Sequence, residues 1–121
     1  MIRSVIDLGT NTCLLLIVDW DDTLPGRLRS IVHDLSTIVR LGQGVDRARN
    51  FQPDAMERTY KALLKYATIV EESGSKPCET VCVATSQARD AKNSKEFFSR
   101  ISNDIGFKFL VPFMWSTNIA F

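Results

Sequence analysis

Residues 2 to 19 constrain the fold more than any other stretch. Two apolar runs, Val5 to Leu8 and Cys13 to Val18, flank a short polar knot, Gly9-Thr10-Asn11-Thr12. Each run has the length and β-branched content of a buried strand. Gly9 is expected to supply a residue that tolerates positive φ, and the side chains after it can bond their own backbone. The spacing therefore predicts a β-hairpin. Its turn would aim several N–H groups and two hydroxyls in one direction, a geometry that suits an anion such as phosphate. Asp7, at the end of the first strand, would place a carboxylate where it can hold a cation or a water beside that anion. Spacing alone leaves two readings open: an anion cradle, and a turn that only reverses the chain.

A chain of 121 residues is one domain or part of one. Its hydrophobic content of 45% and charged content of 24% are those of a soluble globular protein. A net charge of +1 argues against a general nucleic-acid binder. Three cysteines, Cys13, Cys78 and Cys82, form no Cys-x-x-Cys pair, so neither a disulfide framework nor a zinc site is expected. Cys13 and Cys82 sit in apolar runs and read as small core residues. A reducing cytoplasm fits this cysteine usage. The start of the chain has no signal-peptide pattern, and no apolar run is long enough to span a bilayer.

The remaining chain reads as alternating elements. Asp19, Asp21 and Asp22 belong to a solvated turn that ends at Pro25-Gly26. Residues 27 to 41 predict a third strand, with His33, the only histidine, on its surface. Gly42 to Asp46 is a loop. Residues 26 to 49 hold five arginines and two aspartates, a locally basic segment. Residues 53 to 73 predict a helix that opens on Pro53, carries Met56, Tyr60, Leu63, Ala67 and Val70 as its apolar stripe, and ends at Gly74. Thr80 to Thr85 predicts a parallel strand reached by a crossover. Asn93 and Glu96 have the spacing of a capping box at the start of a second helix, over Phe97, Ile101 and Ile105. Phe107 to Val111 would be a fifth strand. The order strand-strand-strand-helix-strand-helix-strand predicts a mixed five-stranded α/β sheet covered by helices. Ligands of such sheets gather at the carboxyl ends of strands. That edge would bring together Asp7, the Gly9 to Thr12 turn and the Thr85 to Arg89 segment.

Three segments carry a family resemblance. Ile6-Asp7-Leu8-Gly9-Thr10-Asn11-Thr12 resembles the first phosphate motif of the actin-like ATPase superfamily, and its Gly-[Ser/Thr]-Asn-[Ser/Thr] form resembles that of the Ppx/GppA family of exopolyphosphatases and guanosine pentaphosphate phosphohydrolases. Val39 to Val45 and Val83 to Ala91, the latter followed by Asn93-Ser94, support the narrower match. The resemblance covers residues 2 to 108. It implies an RNase H-like first domain and removal of the terminal phosphate from polyphosphate or guanosine pentaphosphate (pppGpp), with magnesium. It further implies that Gly9, Thr10, Asn11 and Thr12 cradle terminal phosphates and that Asp7 helps to hold the Mg2+ shell. Arg89 would bridge phosphate oxygens and stabilise transition-state charge, as a guanidinium fork does.

The family pattern continues after its fifth strand with Ile-Ser-Gly-Glu-Glu-Glu, one glutamate of which is the base that activates water. Here residues 109 to 121 are apolar and uncharged. The expectation is therefore a domain over 1–108, a divergent apolar tail over 109–121, and no second actin-like domain with its Asp-x-Gly-Gly-Gly loop. A frameshift or premature end, or a short variant whose tail packs on the sheet, would each account for this. An exposed apolar tail would favour a homodimer. The chain alone is expected to be inactive, because phosphoryl transfer to water needs a positioning base. The alternatives are a non-catalytic polyphosphate- or nucleotide-binding module and half of another actin-like ATPase or sugar kinase.

Overall fold

The computed structural model describes residues 1–121 except 22, 24–26, 86, 114–115 and 121. Residues 27–29, 46, 87, 89, 111–113 and 116–120 are described by their backbone alone. Strands β1 (Ile2–Leu8), β2 (Thr12–Asp21) and β3 (Arg27–Ile38) form an antiparallel meander. A short helix α1 (Val45–Ala48) and the long helix α2 (Pro53–Glu72) follow. A 3-10 turn, Pro77–Glu79, leads into β4 (Val81–Ala84). Then come α3 (Gln87–Asp90), α4 (Ser94–Asp104), β5 (Phe109–Phe113) and β6 (Ser116–Ala120). The sheet order is β3-β2-β1-β4-β5-β6, with β4 parallel to both β1 and β5. This is the predicted mixed sheet with one strand added. β6 comes from the apolar tail and pairs antiparallel with β5. Phe109 is fully buried, so the core crosses the border expected at residue 108.

Topology decides which face of the sheet is covered. β3 and β4 run parallel, as do β4 and β5, and both crossovers step the same way across the sheet. Right-handed crossovers in one direction lay their helices on one face. Ile6, Leu8, Cys13, Leu15, Ile17, Cys82, Ala84 and Phe109 accordingly join residues of α2 and α4 in a single core cluster. The alternate residues Leu14, Leu16 and Val81 remain 42%, 37% and 54% exposed on the opposite face. Both β-strand cysteines are buried, as their apolar surroundings predict, and Cys78 is exposed.

Helix α2 matches its predicted span, but its buried stripe differs from the prediction. The inward residues are Ala55, Thr59, Ala62, Leu63, Tyr66, Ala67 and Val70. Met56 and Tyr60 are only partly buried. Tyr66 decides this rotation. Its ring is buried, and its hydroxyl donates to the Cys13 carbonyl (2.9 Å) and bonds the Thr37 hydroxyl (2.7 Å), tying α2 to β2 and β3. A helix face is set by the residues that find partners, and a buried tyrosine hydroxyl requires one. The C-terminus ends as predicted at Gly74, with φ +97°. The Ser75 N–H bonds the Val70 carbonyl and the Gly74 N–H bonds that of Glu71, the pattern of a Schellman cap. Among the described residues no helix is long and apolar enough to cross a membrane.

Candidate functional site

The Gly9–Thr12 turn closes the β1–β2 hairpin at the carboxyl end of β1. The reason for its glycine differs from the expected one. Gly9 is not among the residues with positive φ. A Cβ there would instead lie 3.2 Å from the Thr12 carbonyl oxygen, so close backbone approach is what requires glycine. The Gly9 N–H donates to that same carbonyl at 2.9 Å and is consumed inside the turn. The Thr10 and Asn11 carbonyls face the segment after β3. The Asn11 carbonyl accepts from the N–H groups of Val39 (2.9 Å) and Arg40 (3.0 Å), and the Thr10 carbonyl accepts from Gly42 (2.9 Å). The Asn11 N–H finds no acceptor among the described residues. The carbonyls of Thr10, Asn11 and Thr12, which would repel an anion, are thus capped within the fold, a condition for any anion-binding turn.

The third segment arrives through β4. The Thr85 N–H donates to the Leu8 carbonyl at 3.1 Å, fastening the end of β4 to the end of β1. The Ala88 N–H then donates to the Thr85 carbonyl and opens α3. A shallow depression results, lined by Leu8, Gly9, Thr10, Leu41, Gly42, Phe51, Thr85 and Ala88. Its enclosed space is only about 10 Å³, room for about one water. Leu8, Leu41, Phe51 and Ala88 are buried and form an apolar floor. Gly9, Thr10, Gly42 and Thr85 complete the wall. The three motif segments, which begin at residues 6, 39 and 83, therefore meet at one place.

The predicted site residues are not all equivalent in this geometry. Gly9 and Thr10 line the depression directly. Asn11 is the hub that holds Val39 and Arg40. Thr12 begins β2 and pairs with Ile38. Asp7 is exposed and points to the sheet face opposite the core, between Leu14 and Val83 in register. It is one oxygen donor, and the described residues hold no cluster of three or more potential metal ligands. Arg89 lies within α3, one residue after Ala88. Its side chain lies outside the described residues, so only its backbone is placed at this edge.

Phe51, Thr85 and Ala88 were not singled out individually by the sequence, and Gly42 appeared only as part of a motif. Phe51 is held by a device that replaces the expected capping box. Asn93 does occupy the N-cap position of α4, yet its side chain makes no cap bond. Its amide oxygen accepts from the Phe51 N–H (2.8 Å) and its amide nitrogen donates to the Phe51 carbonyl (3.1 Å). A side-chain amide has the donor and acceptor of a peptide group and pairs with one like a neighbouring strand. The Lys92 N–H adds a bond to the Arg49 carbonyl at 2.7 Å. Phe51 then packs edge-on against Phe97 and Phe98, with centroids 5.7 and 6.2 Å apart. Arg40 (φ 51°) and Arg49 (φ 60°) bracket the loop in the left-handed region, which costs a non-glycine residue about 1–2 kcal/mol. Arg40, Arg47 and Arg49 are all exposed.

Comparison with known proteins bears on the family and the fold. Residues 16–111 match the model of the Ppx/GppA phosphatase family. Exopolyphosphatase 2 of Mycobacterium tuberculosis is 40% identical over 103 residues, covering 85% of this chain and 32% of that protein. A bifunctional 3-dehydroquinate synthase/phosphatase of Fusobacterium nucleatum is 35% identical over 109 residues, which is 88% of this chain and 16% of the relative. The crystal structure of the Aquifex aeolicus member of the Ppx/GppA protein family superposes with a TM-score of 0.83 at 30% identity, covering 93% of this chain and 35% of that one. The chain thus spans about a third or less of the proteins it matches here. With the fold, the motif order and the family model in agreement, the chain belongs to the Ppx/GppA phosphatase family.

Proposed function

We propose that this chain provides the phosphate-gripping wall of an exopolyphosphatase-type hydrolase, a site for the terminal phosphoanhydride of polyphosphate. One observation carries the reading: Gly9, Thr10, Leu41, Gly42, Thr85 and Ala88 line a single depression at the carboxyl ends of β1 and β4. Guanosine pentaphosphate would compete for the same wall through its terminal phosphates. The Asn11 N–H and the Thr10 and Thr12 hydroxyls would donate to phosphate oxygens, and the Arg89 guanidinium would bridge two of them. Asp7 fits a magnesium ion as one carboxylate ligand, since Mg2+ commonly takes one or two carboxylates and completes its shell with water and phosphate oxygens. Bound there, the ion would neutralise charge on the phosphates.

Hydrolysis additionally needs a base that orients water. No residue after Lys108 is charged, so the glutamate of the family pattern has no counterpart in residues 109–121. The depression is also a shelf rather than a cleft. For this chain by itself the reading is therefore binding without turnover. Calorimetric titration of the 121-residue chain with tripolyphosphate at low ionic strength should show binding that weakens steeply with added salt. Arg89→Ala should weaken it about tenfold, the loss of one charge-assisted bidentate contact. Phosphate release from polyphosphate or pppGpp should stay at background. Absence of affinity at low salt would remove the proposal. Robust release abolished by Arg89→Ala would show that the chain carries its own base, and preference for ATP over polyphosphate would point to a kinase-like relative.

A further inference from the structure

The loop after β3 lines the depression through Leu41 and Gly42, and one side chain from another element holds it at both flanks. Arg58 lies on α2, one turn beyond the helix start. Its Nε donates to the Val39 carbonyl at 2.9 Å, and one terminal nitrogen donates to the Gln43 side-chain oxygen at 2.8 Å. Its other terminal nitrogen reaches Asp54 Oδ2 at 3.4 Å. A single guanidinium thus bridges residues 39 and 43 and fixes the three residues between them. Two of those three hold the turn: the Arg40 N–H on the Asn11 carbonyl and the Gly42 N–H on that of Thr10. Val39 does both, since its N–H bonds Asn11 while its carbonyl accepts from Arg58. The relay therefore runs from helix α2 through the loop into the carbonyls of the turn.

We propose that Arg58 is a positioning residue for the Gly9–Thr12 turn, acting through the backbone of residues 39–43. The planar fork suits this task better than an ammonium, because its donors diverge at fixed angles toward two separate acceptors. Arg58 has no contact with the depression itself, so its effect on ligand passes through Gly42 and Thr10. The loop needs such a brace because Arg40 sits at φ 51°, a conformation that relaxes when the flanks are released. The proposal rests, for its functional consequence, on the turn being a phosphate cradle.

The test compares wild type, Arg58→Gln and Arg58→Lys in the 121-residue chain. Amide hydrogen exchange of Val39, Arg40 and Gly42 is one readout, and tripolyphosphate titration is the second. In Arg58→Gln the three loop amides should exchange about tenfold faster, as expected for loss of charge-assisted bonds. The amides of Leu63 and Tyr66 in α2 should keep their protection. Arg58→Lys, which can reach only one acceptor well, should fall between the two. The tripolyphosphate dissociation constant should rise about five- to tenfold in Arg58→Gln, in step with loop exchange. Unchanged loop protection would overturn the proposal, as would equal loss of protection throughout α2, which would show only a global effect. Should wild type fail to bind tripolyphosphate, the phosphate reading falls, while the exchange pattern still decides whether Arg58 holds the turn.

Discussion

Gly9 shows how one residue can be required for a reason other than its backbone angle. A turn glycine suggests positive φ, but the constraint here is the 3.2 Å between a hypothetical Cβ and the Thr12 carbonyl oxygen. That contact is tighter than side chains ordinarily tolerate, and its partner is backbone, which yields reluctantly. Gly9→Ala should push Thr12 outward and lengthen the Gly9–Thr12 hydrogen bond. A loss of about 1–3 kcal/mol in urea denaturation is expected from overpacking, together with weaker tripolyphosphate binding. Gly74 provides the contrasting control. Its φ of +97° lies in the left-handed region, yet the nearest atom to an added Cβ is Ile2 Cγ1 at 3.8 Å. Gly74→Ala should cost stability through backbone strain alone and leave tripolyphosphate binding unchanged.

At the scale of elements, the α4 N-terminus and the loop after α1 form one unit. Asparagine at an N-cap normally serves its own helix, but Asn93 spends both polar groups on Phe51. The exchange is possible because Phe51 is pulled into the aromatic cluster of Phe97, Phe98 and Phe109, which brings its backbone beside the cap. Asn93→Ala should therefore destabilise the chain by about 1–3 kcal/mol, the range for leaving a partly buried polar group unmatched. Asn93→Ser preserves capping chemistry while losing the paired amide, and should rescue little. A full rescue by serine would show that the cap, rather than the bridge to Phe51, matters. The motif spacing of Asn93 was visible in the sequence. Its partner was not, because the contact spans 42 residues.

The whole molecule is a sheet armoured on one face, and its stability should respond to alkali. Burial pushes the Cys13 thiol up to about 12, with the nearby Asp7 carboxylate adding to the shift. Burial, then Cys13, does the same to Cys82, also to about 12. The ordinary thiol value is 9.0. Below that value both states hold the protons and the fold keeps this stability in full. Between about 9 and 12 the unfolded chain has lost protons that the folded chain retains, so stability falls as pH rises. The slope should reach about 1.4 kcal/mol per pH unit for each thiol. Urea midpoints measured from pH 7 to 11 should be flat at first and then decline, and Cys82→Ala should remove about half of the decline. A decline that begins below pH 8, or that survives replacement of both cysteines, would assign alkaline sensitivity to other groups.

Local pattern by itself determined the first five strands, the span of α2, its Gly74 end and the strand-helix order, because these follow from apolar period, chain stiffness and the few residues that tolerate a helix end. Resemblance in three short segments identified the family. The tertiary structure decided what those patterns leave open. It rotated the inward face of α2 toward Tyr66, whose hydroxyl needed partners on two strands. It turned the Asn93 side chain to Phe51 and added β6 to the sheet beside the predicted fifth strand. It also brought Arg58 to the loop that holds the Gly9–Thr12 turn. Each of these depends on which distant groups become neighbours, and a buried donor or acceptor takes whatever partner the assembled sheet presents.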